Sequence, residues 1–186
     1  MANISMMQVP LICHPQSDAG GAEGIQVVIS RSDSGKVELT YGVLGSLEAV
    51  EIVAPAAPER VDELWKKTCF ELFVGNIEDE IYLEYNFAPS GQWAAYQFSG
   101  YRADMAELET EVPDIQTEEN ESVLNVSVKF QLPDAWRGRA LLAGVSAVIA
   151  TKSGDFSYWA VAHPPGKPDF HHRDCFALHL EARGTL

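Results

Sequence analysis

The chain has 186 residues, 46% of them hydrophobic, and a formal net charge of -14 from 13 Lys plus Arg against 27 Asp plus Glu. A chain of this length buries roughly 70% of the surface its unfolded form exposes, so a single domain over residues 1–186 with one proper core is expected. The acidic field repels phosphate backbones and anionic lipid headgroups, which argues against nucleic acid and membrane surfaces as partners.

The chain starts with an apolar stretch, "ISMMQVPLICH", without a basic leader or a small-residue cleavage site. No segment has the length of a membrane span. Pro10 cannot donate to a central ladder, so this stretch is expected at a sheet edge. Cys13, Cys69 and Cys175 are an odd count at wide spacing with no C-x-x-C pair. Reduced thiols and a cytoplasmic address fit that pattern better than a disulfide framework.

Period-two alternation then dominates. "IQVVIS" from Ile25, "KVELTYGVL" from Lys36 and "TCFELFVG" from Thr68 read as strands. In "CFELF" the residues Phe70, Leu72 and Val74 take one face, while Glu71 shares the other with Cys69 and Phe73. "EIYLEYNF" puts Ile81, Leu83, Tyr85 and Phe87 inward, with Glu80, Tyr82, Glu84 and Asn86 on a wet outer face. "APSGQ" is a turn, with Pro89 presetting φ and Gly91 supplying a positive one, so strands 80–88 and 92–100 form a hairpin.

Helical pattern is sparse: a turn or two in "PERVDELWKK" and another in "RADMAELE". The acidic run from Asp114 to Ser122 reads as a solvated strand end and loop, followed by the alternating "VLNVSVKFQL". "LLAGVSAVIAT" is Ala-rich, but Val145, Val148, Ile149 and Thr151 are β-branched and Gly144 lies inside it, so it is assigned as strand. "FSYWAVAH" and "CFALHL" complete the set, with Phe176, Leu178 and Leu180 inward. Nine or ten short strands with scarcely any helix give an all-β fold, expected as a two-sheet antiparallel β-sandwich of immunoglobulin-like or jelly-roll type.

The blocks "LWKKTCFELFVG", "YLEYNFAPSGQWAAYQFSGYRADM" and "YWAVAHPPGKPDFHHRDCFALHL" resemble the bacterial DOMON-like domains related to family 9 carbohydrate-binding modules. The matching blocks lie between residues 64 and 180. The resemblance implies a β-sandwich that binds a ligand, sugars in some members and haem in a separate branch. Sugar-binding members carry a tryptophan before a strand and a glutamate inside it, which Trp65 and Glu71 resemble. An asparagine followed by a turn glycine, and then a basic residue, are matched by Asn86, Gly91 and Arg102. The late aromatic wall is matched by Trp159 or Phe170.

The chemistry of those residue types agrees with a sugar, whose ring faces need aromatic surface and whose hydroxyls need polar side chains. Glu71, flanked by apolar neighbours on a strand, needs a partner, which Arg102 or Asn86 could supply. His163 precedes the stiff "PPGKP" and, with Phe170 and His171, is a candidate for the rim. In "PDFHHRDC" the residue types would suit a transition metal. Consecutive His171 and His172 point to opposite faces of an extended chain, however, so an ordered loop before the final strand is the plainer account.

The sequence therefore reads as a non-catalytic binding module for a small carbohydrate or similar polar metabolite, with no resident cofactor. Three alternatives stay open. One is a protein-interaction domain without a small ligand, with sheet edges that could pair with another chain. Another is a glycosidase using Glu71 and Glu84 as its paired carboxylates. The third is a haem domain, whose branch uses methionine and histidine ligands; Met105 is the only methionine beyond the N-terminal region.

Overall fold

The structure, a computed structural model, describes residues 5–181. Twelve strands pair in antiparallel fashion: β1 (Ser5–Cys13), β2 (Ala22–Arg31), β3 (Lys36–Gly45), β4 (Cys69–Asn76), β5 (Tyr82–Phe87), β6 (Trp93–Phe98), β7 (Ala106–Glu107), β8 (Asp114–Glu119), β9 (Val123–Gln131), β10 (Leu141–Ala150), β11 (Phe156–Ala160) and β12 (Leu178–Leu180). They form one continuous sheet in the order β7-β6-β5-β4-β10-β11-β1-β2-β3-β9-β8, with β12 beside β10. The all-β, antiparallel expectation holds, but in place of two separate sheets a single sheet curls over so that its halves face each other. Helix among the described residues is limited to four single 3-10 turns.

The seam is β1. Over Ser5–Leu11 it pairs with β2, and at Ile12 and Cys13 it pairs with β11. It is therefore an interior strand rather than the edge strand that Pro10 suggested. Pro10 is accommodated because it lies in the stretch paired to β2 alone, opposite Gln26. One bulge, between Ala22 and Gly24, breaks the β2–β3 ladder.

Alternation explains the main core. Val27 and Ile29 from β2, Leu39 and Tyr41 from β3, Phe70, Leu72 and Val74 from β4, and Leu83, Tyr85 and Phe87 from β5 all point into it. Across the fold, the Tyr41 hydroxyl donates to the Glu71 carbonyl at 2.7 Å. The Tyr41 and Phe70 rings are 4.9 Å apart, and those of Tyr85 and Phe130 are 4.4 Å apart.

The face of β5 expected to be wet, and the Glu71 face of β4 beside it, are covered as well. Every residue of Cys69–Asn76 and of Tyr82–Phe87 is buried. A second apolar cluster lies there, built from Cys69, Phe73, Tyr82, Ala94, Tyr96, Phe98, Phe170 and Phe176 among others. It is roofed by the segment from Pro168 to Phe176, which is loop and one 3-10 turn (Arg173–Cys175); of "CFALHL" only Leu178–Leu180 is strand, and Phe176 packs in this second cluster while Leu178 and Leu180 enter the main core. "RADMAELE" gives the two-residue β7 instead of a helical turn, and most of the acidic run becomes the edge strand β8 along β9.

Turn chemistry places the β5–β6 hairpin as expected. Gly91 has φ 92°, its N–H donates to the Ala88 carbonyl at 3.0 Å, and the Ala88 N–H donates to Gln92 at 2.9 Å.

Candidate functional site

A cleft of about 570 Å³ opens between the outer face of β4, β5, β6 and β10 and the loop at Pro168–His171. Its size is that of a small-molecule site. Trp65, Phe98, Tyr158 and Phe170 supply aromatic surface; Glu71, Glu84, Arg102, Asp169 and His171 supply charge and hydrogen-bonding groups.

The floor comes from strand alternation. Glu71 on β4 and Glu84 on β5 both leave the row that feeds the main core, and each is 4% exposed. Ser146 on β10, opposite Glu71 in the register, donates its hydroxyl to Glu71 Oε2 at 3.3 Å. Asn86 donates its side-chain amide to Glu84 Oε1 at 2.7 Å. Burial, and then the neighbouring Glu84 charge, hold the Glu71 carboxyl well above the usual carboxylate range. Burial pushes Glu84 up to about 7, against the hydrogen bond from Asn86.

One wall is the network around Tyr82 and Arg102. The Tyr82 hydroxyl accepts from the Arg102 backbone N–H at 3.2 Å and lies 2.8 Å from His171 Nδ1. Which of the two donates follows the His171 tautomer, since the hydroxyl can accept a second hydrogen bond as well as donate one. Nε2 stands 3.7 Å from Glu84 Oε2. Burial, assisted by the Arg102 charge, lowers the His171 pKa to about 4, so the ring is neutral near neutral pH.

Arg102, at φ 53°, turns its guanidinium to Asp169, with Nη2 2.8 Å from Oδ1. Tyr101 donates to the other Asp169 oxygen. Burial works against ionisation of Asp169, but the bonds from Tyr101 and Arg102 hold its carboxyl below the ordinary range.

Trp65 sits on the 3-10 turn Leu64–Lys66, entered through Glu63 at φ 61°. It is 37% exposed and meets the Tyr96 ring edge-on at 6.5 Å. Tyr96 is itself fixed by its hydroxyl bond to Asp62 at 2.6 Å.

Of the residues singled out in the sequence, Trp65, Glu71, Arg102, Phe170 and His171 line this one cleft. Asn86 lies fully buried behind it and acts on it through Glu84. Trp159 does not reach it. Its ring is in the main core with Nε1 donating to Ser157 at 2.9 Å, because alternation along β11 turns Tyr158 to the cleft instead. His163 lies outside the lining, with Nε2 2.8 Å from the Ile12 carbonyl and its ring against His14 and Phe170.

Glu84, Asp169, Tyr158 and Phe98 were not singled out as binding residues. Glu84 carried a signal, sharing a face with Asn86. Asp169 and Tyr158 carried none, since only the folded loop and the β11 register show where they point.

His171 faces the cleft and packs on Phe73, Tyr82 and Phe98, whereas the half-exposed His172 ring caps the 3-10 turn, accepting from the Asp174 N–H at 3.2 Å. Among the described residues no three His, Cys, Asp or Glu side chains form a metal-binding group. The cleft does not suit haem either. Met105 and His171 both line it, but the floor carries two carboxylates and both His171 nitrogens already face Tyr82 and Glu84.

No family model matches the chain, and no curated protein matches it. Among solved structures it is similar to a Bacteroides uniformis ATCC 8492 protein provisionally described as carbohydrate-binding. The TM-score is 0.64 at 13% identity, over 92% of this chain and 84% of that one. At that identity the likeness shows a shared fold. A family 9 carbohydrate-binding module from Caldicellulosiruptor kristjanssonii, in complex with glucose, is similar at a TM-score of 0.45 and 11% identity, over 77% of this chain and 69% of that one, and no argument rests on it.

Proposed function

We propose that the protein is a non-catalytic binding module for a small carbohydrate or similar polar metabolite, with the Glu71–Glu84 cleft as its site. The observation that carries this reading is the division of the cleft into aromatic walls and a carboxylate floor. Trp65 and Tyr158 offer flat surface to the C–H faces of a ring, while Glu71 and Glu84 accept from its hydroxyls. The fold shared with the Bacteroides uniformis protein supports the same reading. A DOMON-like kinship and a cytoplasmic address belong to the proposal. The latter rests on Cys13, Cys69 and Cys175, none of which is paired.

Thermal unfolding against a panel of sugars tests it. A ligand at a hundredfold its dissociation constant stabilises the native state by about 2.7 kcal/mol, which shifts the midpoint by roughly 5–10 °C for a chain of this size. Calorimetric titration of Trp65→Ala and Glu71→Ala then locates the site; unchanged binding in both variants sinks it.

One observation favours a second reading: Glu71 and Glu84 are neighbouring carboxylates that burial pushes upward, Glu84 to about 7, in the direction a glycosidase acid requires. Release of chromophore from aryl glycosides, abolished in Glu84→Gln, would replace the binding module with an enzyme.

A further inference from the structure

We infer that the cleft selects a small ring ligand carrying a protonated amine, an amino sugar on the reading above, and disfavours anionic sugars. The ring of that ligand rests on the carbohydrate reading; the amine rests on charge and hydrogen-bond inventory. Arg102 is the cation of the cleft lining, and it is already paired with Asp169 at 2.8 Å. His171 is neutral, its Nδ1 occupied by Tyr82. Arg102 still favours the ionised glutamates through its field, but among the described residues neither carboxylate has a lysine or arginine of its own at ion-pair distance.

Their oxygens are also incompletely used. Ser146 serves Glu71 Oε2, and among the described residues Oε1 has no donor. Asn86 serves Glu84 Oε1, while Oε2 accepts no hydrogen bond among the described residues and stands 3.7 Å from His171 Nε2. Each of these carboxylates is 4% exposed and lines the cleft. Burying a carboxylate without a donor or a countercharge is costly, so the site favours whatever supplies both.

A hydroxyl supplies one donor and no charge. An ammonium supplies three donors and a full charge. The walls add to this, since the faces of Trp65, Tyr158 and Phe170 attract a cation through their quadrupoles. A bare metal ion lacks a ligand set here. A uronate or sugar phosphate meets two carboxylates and an arginine already held by Asp169.

Ammonium binding also has a proton signature. In the empty cleft, burial favours the protonated form of both glutamates, raising Glu84 to about 7, and the Glu84 charge adds to the upward shift of Glu71. The other titratable groups around the pair are Tyr41 on β3, Cys69 on β4, Tyr82 on β5, Tyr96 on β6 with Asp62 behind it, Tyr158 on β11, and Arg102, Asp169 and His171 from the loops. Of these, the Cys69 thiol and the Tyr41, Tyr82 and Tyr96 phenols are pushed up by burial and stay protonated, Asp169 stays ionised and His171 stays neutral. An arriving ammonium favours the ionised form of both carboxyls, and each proton so displaced leaves to solvent.

The test is calorimetric titration of the whole protein near neutral pH with glucosamine, glucose and N-acetylglucosamine, in two buffers of different ionisation enthalpy. Glucosamine is expected to bind at least ~tenfold more tightly than the two neutral sugars, as close charge pairs at interfaces do, and to release protons to the buffer. Glu84→Gln, with folding checked by circular dichroism, is expected to erase both the preference and the release. Equal affinities, a preference for a neutral sugar, or a glucosamine preference that survives in Glu84→Gln overturns the inference and leaves the carbohydrate reading standing. Failure of all three sugars to bind removes both.

Discussion

Glu71 and Glu84 are diagonal neighbours across the β4–β5 ladder: Glu71 stands opposite Asn86 and Phe73 opposite Glu84, so the two carboxylates rise two residues apart from one face. Because burial raises Glu84 to about 7 from 4.5, its ionisation opposes folding. Its contribution to stability is complete below the unfolded value and is lost as pH rises through about 7. His171, lowered to about 4 from 6.5, slopes the opposite way across much of that range, so the informative quantity is a difference. The midpoint of Glu84→Gln minus that of the parent should rise by several degrees between mildly acidic and neutral pH. A difference that stays flat would show that Glu84 is ionised throughout.

Two tryptophans should separate binding from stability. Trp65→Ala, at a surface 37% exposed, is expected to weaken ligand binding with little change in midpoint. Trp159→Ala opens a cavity in the main core and should cost about 3–5 kcal/mol, which at 2–4 °C per kcal/mol lowers the midpoint by roughly 6 °C or more. Paired unfolding and titration curves check both; the reverse assignment would mean that β11 is registered one residue away.

Tyr41→Phe removes the hydroxyl that joins β3 to the Glu71 carbonyl across the fold. A buried bond of this kind is worth about 1–2 kcal/mol. Denaturant unfolding should show that loss at an unchanged m-value. No loss would mean that water takes over the carbonyl.

The strands were legible wherever one face is apolar. Leu83, Tyr85 and Phe87, and Leu124, Val126 and Val128, announce β5 and β9 by alternation alone, and Pro89 with Gly91 announces the hairpin. The burial of the second face of β5 was not legible. Tyr82, Glu84 and Asn86 look like residues facing water until a roof from Pro168–Phe176, distant in sequence, is laid over them. That is also why Trp65, Glu71 and Arg102 could be singled out while Asp169 and Tyr158 could not. The former lie beside β4–β6 features, the latter on segments whose orientation is tertiary.

Gly144 lies under that roof. A Cβ there would come within 2.8 Å of the Cys175 carbonyl oxygen, a backbone atom that yields only if the 3-10 turn moves. Gly144→Ala should destabilise by about 1–3 kcal/mol and lift hydrogen-exchange protection from the segment around His171. A tolerated alanine with a protected loop would show that the turn has slack.

The Arg102–Asp169 pair should contribute modestly, because the arginine side chain is 52% exposed. A double-mutant cycle with Arg102→Ala and Asp169→Ala should give a coupling of about 1 kcal/mol or less. Larger coupling would make this pair the main anchor of the loop.

β1 closes the sheet by joining segments far apart in the chain: His163 reaches the Ile12 carbonyl across 151 positions, and the His14 N–H bonds the Tyr158 carbonyl at 2.8 Å. Closure over such a span is slow, and until it happens β2 and β11 each present an open edge to other chains. The same step sets the backbone from which Tyr158 projects into the cleft. A chain still being synthesised thus holds β1 in waiting, and the aromatic wall takes its final position only when that strand is finally matched.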